Sequence, residues 1–167
     1  MIPNSKSTWF LTETVIQKGY LLKCLKTWGP DFIVTFDIRI KRLVAAPGEN
    51  VMLLTTEKDR WRGAGSRIPS VWIREAEITV KIVLNEPVAN DYAGQSESYK
   101  ATVGEWYHVE LSQKQINGDS AKFTFKVNET VAGEIDTIPM QFKDVSWYQS
   151  WTVDSVEDQV DIKNVHF

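Results

Sequence analysis

Alternation with a period of two restricts the fold of this chain more than any other feature. From Asp31 to Lys41, Phe32, Val34, Phe36, Ile38 and Ile40 occupy every second position, separated by Ile33, Thr35, Asp37, Arg39 and Lys41. Successive side chains of a strand point to opposite faces, so the pattern predicts a strand with one face in a core and the other mostly in water. Ile78, Val80, Ile82 and Leu84 repeat it. So do Tyr107, Val109 and Leu111, and then Phe123, Phe125 and Val127. Weaker strands are predicted at Trp9–Val15, Tyr20–Trp28, Val51–Thr56, Ser70–Arg74, Phe142–Tyr148 and Val160–Phe167. In the last, Val160 and Ile162 are out of phase with Val165 and Phe167, which a bulge near Lys163-Asn164 would repair.

No segment of ten or more residues carries a helical stripe. Turn chemistry falls between the apolar runs, at Trp28-Gly29-Pro30-Asp31, Pro47-Gly48-Glu49-Asn50, Gly63-Ala64-Gly65 and Asn117-Gly118-Asp119. Short strands with polar turns predict an all-β protein, a two-sheet antiparallel β-sandwich with jelly-roll or Greek-key connections. With 167 residues and no linker, repeat or low-complexity tract, residues 1–167 are expected to form a single domain.

Three stretches of the second half carry a family resemblance. Gly104-Glu105-Trp106-Tyr107-His108-Val109-Glu110-Leu111-Ser112-Gln113 has a tryptophan opening an alternating run. Phe123–Val131 is a strand ending in an Asn-Gly-like hairpin tip at Asn128-Glu129. Phe142–Ser150, closed by Asp161–Val165, gives an aromatic strand and a final short one. Gly65-Ser66-Arg67-Ile68-Pro69-Ser70-Val71-Trp72 adds a turn and strand. Together they resemble the concanavalin A-like jelly-roll superfamily, in its laminin G-like and pentraxin-like extracellular branch. The resemblance implies recognition of carbohydrate, matrix or another protein, and it implies no chemistry. The physics agrees with it: Trp106 and Trp147 fall at strand starts or ends, where a large ring can close one edge of the core while its N–H reaches a partner.

The residues themselves give little support to catalysis. Glycoside hydrolases on such folds use Glu-x-Asp-x-x-Glu along one strand, which sets the carboxylates on one face. Here Glu134 and Asp136 fit, but Pro139 stands where the second glutamate is needed. No Gly-x-Ser-x-Gly elbow is present, and His108 and His166 have no local nucleophile context. Gly63-Ala64-Gly65-Ser66 lacks the spacing and lysine of a phosphate loop, and there is no Cys/His cluster for zinc. The single cysteine, Cys24, lies in an apolar stretch and reads as a buried, inert thiol. An enzyme that cleaves glycans is the weakest of the functional readings.

Binding is the stronger expectation. Lys58–Arg67 is the most chemically loaded stretch: Trp61 offers a stacking face, and Arg60, Arg62 and Arg67 offer guanidinium forks for a carboxylate or sulfate. Trp151 is a second aromatic candidate, in phase with Trp147. Calcium, the one cofactor considered, would fall to Asp154, Glu157 and Asp158 together with Asp161, or to Asn90-Asp91. Asn128-Glu129-Thr130 is an N-glycosylation sequon.

The net charge of −3 comes with interspersed Lys, Arg, Asp and Glu and no basic stripe, so nucleic acid is not an expected partner. No apolar run approaches the roughly 18 residues that span a membrane. Residues 1–6 lack a basic stretch followed by an apolar core, so no signal peptide is read there. Two locations stay open: the cytosol, or the extracellular space and cell surface as part of a longer secreted protein. The expected function is a non-enzymatic module that binds carbohydrate through loops or the concave sheet face. The alternative is protein–protein adhesion or self-association.

Overall fold

The structure is a computed structural model that describes residues 14–15, 20–56, 68–82, 95–139, 141–149 and 159–167. These residues form strands and no helix. The strands are β1 (Thr14–Val15), β2 (Tyr20–Trp28), β3 (Phe32–Ile40), β4 (Val44–Thr56), β5 (Ser70–Glu75) and β6 (Glu77–Ile82). They continue as β7 (Gln95–Lys100), β8 (Trp106–Gln115), β9 (Ala121–Val127), β10 (Thr130–Thr137), β11 (Phe142–Gln149) and β12 (Val160–His166). Two six-stranded sheets result, ordered β1-β12-β3-β8-β9-β10 and β2-β11-β4-β5-β6-β7. Every pairing is antiparallel. The chain runs as a meander through β4–β7 in one sheet and β8–β10 in the other. It crosses between sheets at β1–β2, β2–β3, β3–β4, β7–β8, β10–β11 and β11–β12.

Alternation decides which side chains meet between the sheets. In β3, Val34, Phe36, Ile38 and Ile40 are fully buried. Tyr107, Val109 and Leu111 of β8 and Phe123, Phe125 and Val127 of β9 join them. From the opposite sheet come Leu54, Val71, Ile73, Ile78, Val80, Val145 and Trp147, completing one core. Each such side chain contributes about 1.5–3 kcal/mol on burial.

The structure departs from the sequence expectations at five places. Pro47-Gly48 does not turn the chain; it sits inside β4, where the pairing with β5 shifts register between Val44 and Glu49. Gly48 has φ of 97° and lies where a Cβ would come within 2.9 Å of the Ile73 carbonyl oxygen, so the bulge requires glycine. β7 is a strand that the alternation did not reveal, because Gln-Ser-Glu-Ser-Tyr-Lys offers it one large apolar residue, Tyr99. Cys24 is exposed rather than buried, since β2 is an edge strand and Cys24 takes an outward position beside Ser146 (Sγ–Oγ 3.8 Å). Trp147 is fully buried within β11, packed edge-on against Phe167 at 3.9 Å, and its Nε1 finds no partner among the described residues. Trp106 leaves the core altogether and lies half-exposed on the outer face.

The alternation break in β12 is resolved as a register shift against β3 between Lys163 and His166, with Asn164 at φ of 53°. At one side of the sandwich the sheets approach closely. Gly133 of β10 stands where a Cβ would come within 2.5 Å of the Glu97 Cβ of β7.

Candidate ligand-binding site

The outward half of the alternation in β12, β3, β8, β9 and β10 builds one continuous polar face. Register sets its rows. Asp161, Arg39 and Trp106 stand abreast on β12, β3 and β8, and the next row holds Lys163, Asp37 and His108. Thr35, Glu110 and Lys126 follow, then Ile33, Ser112, Thr124 and Glu134, then Lys114, Lys122 and Asp136.

Opposite charges lace the first rows. Arg39 donates to Asp161 Oδ2 from Nε at 3.1 Å and from Nη2 at 2.6 Å, while Lys41 Nζ lies 3.0 Å from Oδ1. Burial pushes the Asp161 carboxyl up, but the Arg39 and Lys41 hydrogen bonds and charges outweigh it and hold the group below its ordinary value. Arg39 and Lys163 both lie against the Trp106 indole, 4.6 and 3.9 Å from the ring centre, a cation–π arrangement. His108 Nδ1 is 2.7 Å from Asp37 Oδ1, and Asn164 Nδ2 donates to Asp37 Oδ2 at 2.6 Å. Lys126 donates to Glu110 at 2.9 Å.

Past Glu110 the face opens into a groove of about 460 Å³, lined by Ser112, Lys114, Gln115, Ile116, Lys122 and Thr124. One strand further out, β10 carries the two carboxylates that matched a glycosidase pattern. Glu134 and Asp136 do share a face, but both are engaged by Lys122, whose Nζ lies 3.8 and 3.1 Å away. The hydrogen bond to Asp136, helped by both negative charges, raises the Lys122 ammonium above its ordinary value. A carboxylate pair clamped by a lysine on an exposed edge strand is an ion-pair cluster, with Asp136 almost fully open to water.

The residues singled out in the sequence fall in two groups. Arg60, Trp61, Arg62, Arg67, Trp151, Asp154, Glu157, Asp158, Asn90 and Asp91 lie outside the described residues. Asp161, grouped with them as a calcium ligand, instead spends both oxygens on Arg39 and Lys41. Among the described residues no three His, Cys, Asp or Glu side chains gather as a metal-ligand set. Asn128 is exposed at the β9–β10 hairpin tip, with φ of 48°, and its Oδ1 accepts from the His108 backbone N–H at 2.9 Å. A sheet face is among the expected binding surfaces, but the sequence reading assigns none of the residues that build this one to carbohydrate binding. Its signal was the polar half of each alternation, where Asp37 and Arg39, His108 and Glu110, and Lys122 and Lys126 are spaced to meet across strands.

Comparison with known proteins places this architecture. No family model and no curated protein matches the chain. Solved structures do match. The botulinum neurotoxin type G receptor-binding domain superposes with a TM-score of 0.60 at 9% identity, over 93% of this chain and 42% of that one. A structure concerning cell entry of botulinum neurotoxin type C, dependent upon interaction with two ganglioside molecules, gives 0.53 at 15%, over 82% and 31%. The binding domain of botulinum neurotoxin DC in complex with rat synaptotagmin II also gives 0.53 at 15%, over 82% and 31%. The fold is shared. The chain spans less than half the length of each of these structures, and at such identities the likeness concerns fold alone.

Proposed function

We propose that this chain is a non-enzymatic recognition module that binds carbohydrate, built on a single concanavalin A-like, laminin G-like sandwich. The observation that carries the reading is the outer sheet face. It is continuous and preorganised by cross-strand ion pairs, and it ends in an open groove lined by hydroxyl, amide, lysine and isoleucine side chains. A few fixed polar groups beside an apolar contact is the chemistry of a sugar site. Structures of the same fold support it, since their descriptions name receptor binding and gangliosides. The segment joining β4 to β5, with Arg60, Trp61, Arg62 and Arg67, supplies a second contact region by its composition, and Trp151 a third. Asp154, Glu157 and Asp158 are the residues proposed to hold calcium, if the module uses it.

The module acts outside the cell or at its surface, as part of a longer protein. The exposed Asn128 sequon supports that placement. A protein partner is the second reading, favoured by the neighbour solved in complex with synaptotagmin II. A glycan array probed with the purified chain, once with calcium and once with a chelator, separates them. Retention on a defined sugar class is the expected result, and loss under chelation would assign the calcium to binding. A blank under both conditions would reject the carbohydrate reading in favour of a protein partner.

A further inference from the structure

The groove at the β8–β9 end of the outer face has an unbalanced charge. Lys114 and Lys122 stand directly opposite each other on β8 and β9, a like-charged cross-strand pair that destabilises a sheet unless something neutralises it. Lys122 has its counter-charges on β10, in Asp136 at 3.1 Å and Glu134 at 3.8 Å. Lys114 is exposed, and among the described residues its ammonium makes no hydrogen bond or ion pair. Asp31 Oδ1 accepts the Gln115 backbone N–H at 2.6 Å. The outward hydroxyls of Ser112 and Thr124, paired across the same two strands, carry no hydrogen bond among the described residues either. Beside them Ile116 is 62% exposed, and Ile33, the cross-strand partner of Ser112, is 58% exposed.

A free ammonium, two free hydroxyls and the bare Ile116 side chain around one groove, with Ile33 exposed on the next strand, describe a ligand with an anionic group, hydroxyls and an apolar face. We infer that this groove is a subsite for a sugar bearing one carboxylate, a hexuronic-acid type of ring. The carboxylate pairs with Lys114, ring hydroxyls meet Ser112 and Thr124, and the C–H face lies on Ile116. One carboxylate fits better than several sulfates, because Glu134 and Asp136 lie just beyond Lys122 and would repel a polyanion. The volume of about 460 Å³ falls within the roughly 300–1,000 Å³ usual for ligand pockets. The inference rests on the carbohydrate reading and narrows it to a site and a sugar class.

The test compares methyl β-glucuronide with methyl β-glucoside, which differ in the carboxylate, by titrating each into the isotope-labelled chain and following backbone amide shifts. The glucuronide should shift the amides of residues 112–116 and 122–124 and bind about tenfold more tightly than the glucoside, the worth of one charge-assisted hydrogen bond. Lys114→Gln should erase that preference while leaving the rest of the amide spectrum in place, and Thr124→Val should weaken both sugars together. Equal affinities in the wild type, or an unchanged preference in Lys114→Gln, would overturn the subsite. Shifts confined to another surface would overturn it while leaving the carbohydrate reading standing. No shift with either sugar, together with a blank glycan array, would reject both.

Discussion

Asp161 shows how a single side chain on the outer face is tied to pH. Its folded-state pKa lies below the ordinary value of 3.8, so its pairs with Arg39 and Lys41 contribute fully above that value. That contribution is lost as pH falls through the lower, folded-state value. Asp161→Asn should cost about 1–3 kcal/mol at neutral pH. Urea titrations of both forms should converge as pH drops below 3.8, and a gap that persists in acid would refute the electrostatic account. Trp147 is the core counterpart. It is fully buried and packed edge-on against Phe167, so Trp147→Ala should remove about 3–5 kcal/mol, read as a lower urea midpoint. Neither role was legible in the residue alone. Trp106 falls on the outward set of the alternating β8, whereas in β11 Val145, Ser146, Trp147 and Tyr148 are all buried, so position in a strand decides between solvent and core only once the strand's surroundings are known. Cys24 was misread for the same reason, since an apolar neighbourhood in sequence does not tell an edge strand from a central one.

At the scale of elements, the four clean alternations were readable because each strand has one face in the core and one in water, so hydrophobicity reports its facing directly. β7 escaped because an edge strand can pair on one side with little apolar content. β4 was read short because a Pro-Gly pair that ordinarily turns a chain is here accommodated as a bulge by Gly48. Gly133 makes the third local demand. A methyl there would drive into the Glu97 Cβ and Cγ, both 2.5 Å from the position it would take. Gly133→Ala should therefore push β10 from β7 and cost about 1–3 kcal/mol. Hydrogen exchange should show faster amides in β7 and β10 and unchanged ones in β2 and β11. Glu97→Ala should rescue little, because its Cβ stays; full rescue would mean that the longer side chain alone sets the approach.

For the whole molecule, sequence patterning was enough for the two-sheet architecture, because burying a face of every strand leaves few arrangements other than sheet against sheet. The site was harder to read, since a ligand surface on a sandwich is assembled across strands far apart in sequence. Asp161 and Arg39 are 122 residues apart, and Lys122 meets carboxylates from the next strand. Only the register brings them together. The central claim is recognition of carbohydrate without chemistry, and saturation-transfer NMR on a glycan retained by the array, followed for a day at saturating protein, tests it most directly. The account predicts transfer from protein to sugar protons, with the anomeric signals of the glycan unchanged throughout. New reducing-end signals would reveal cleavage and contradict it, as would the absence of transfer to any glycan tested.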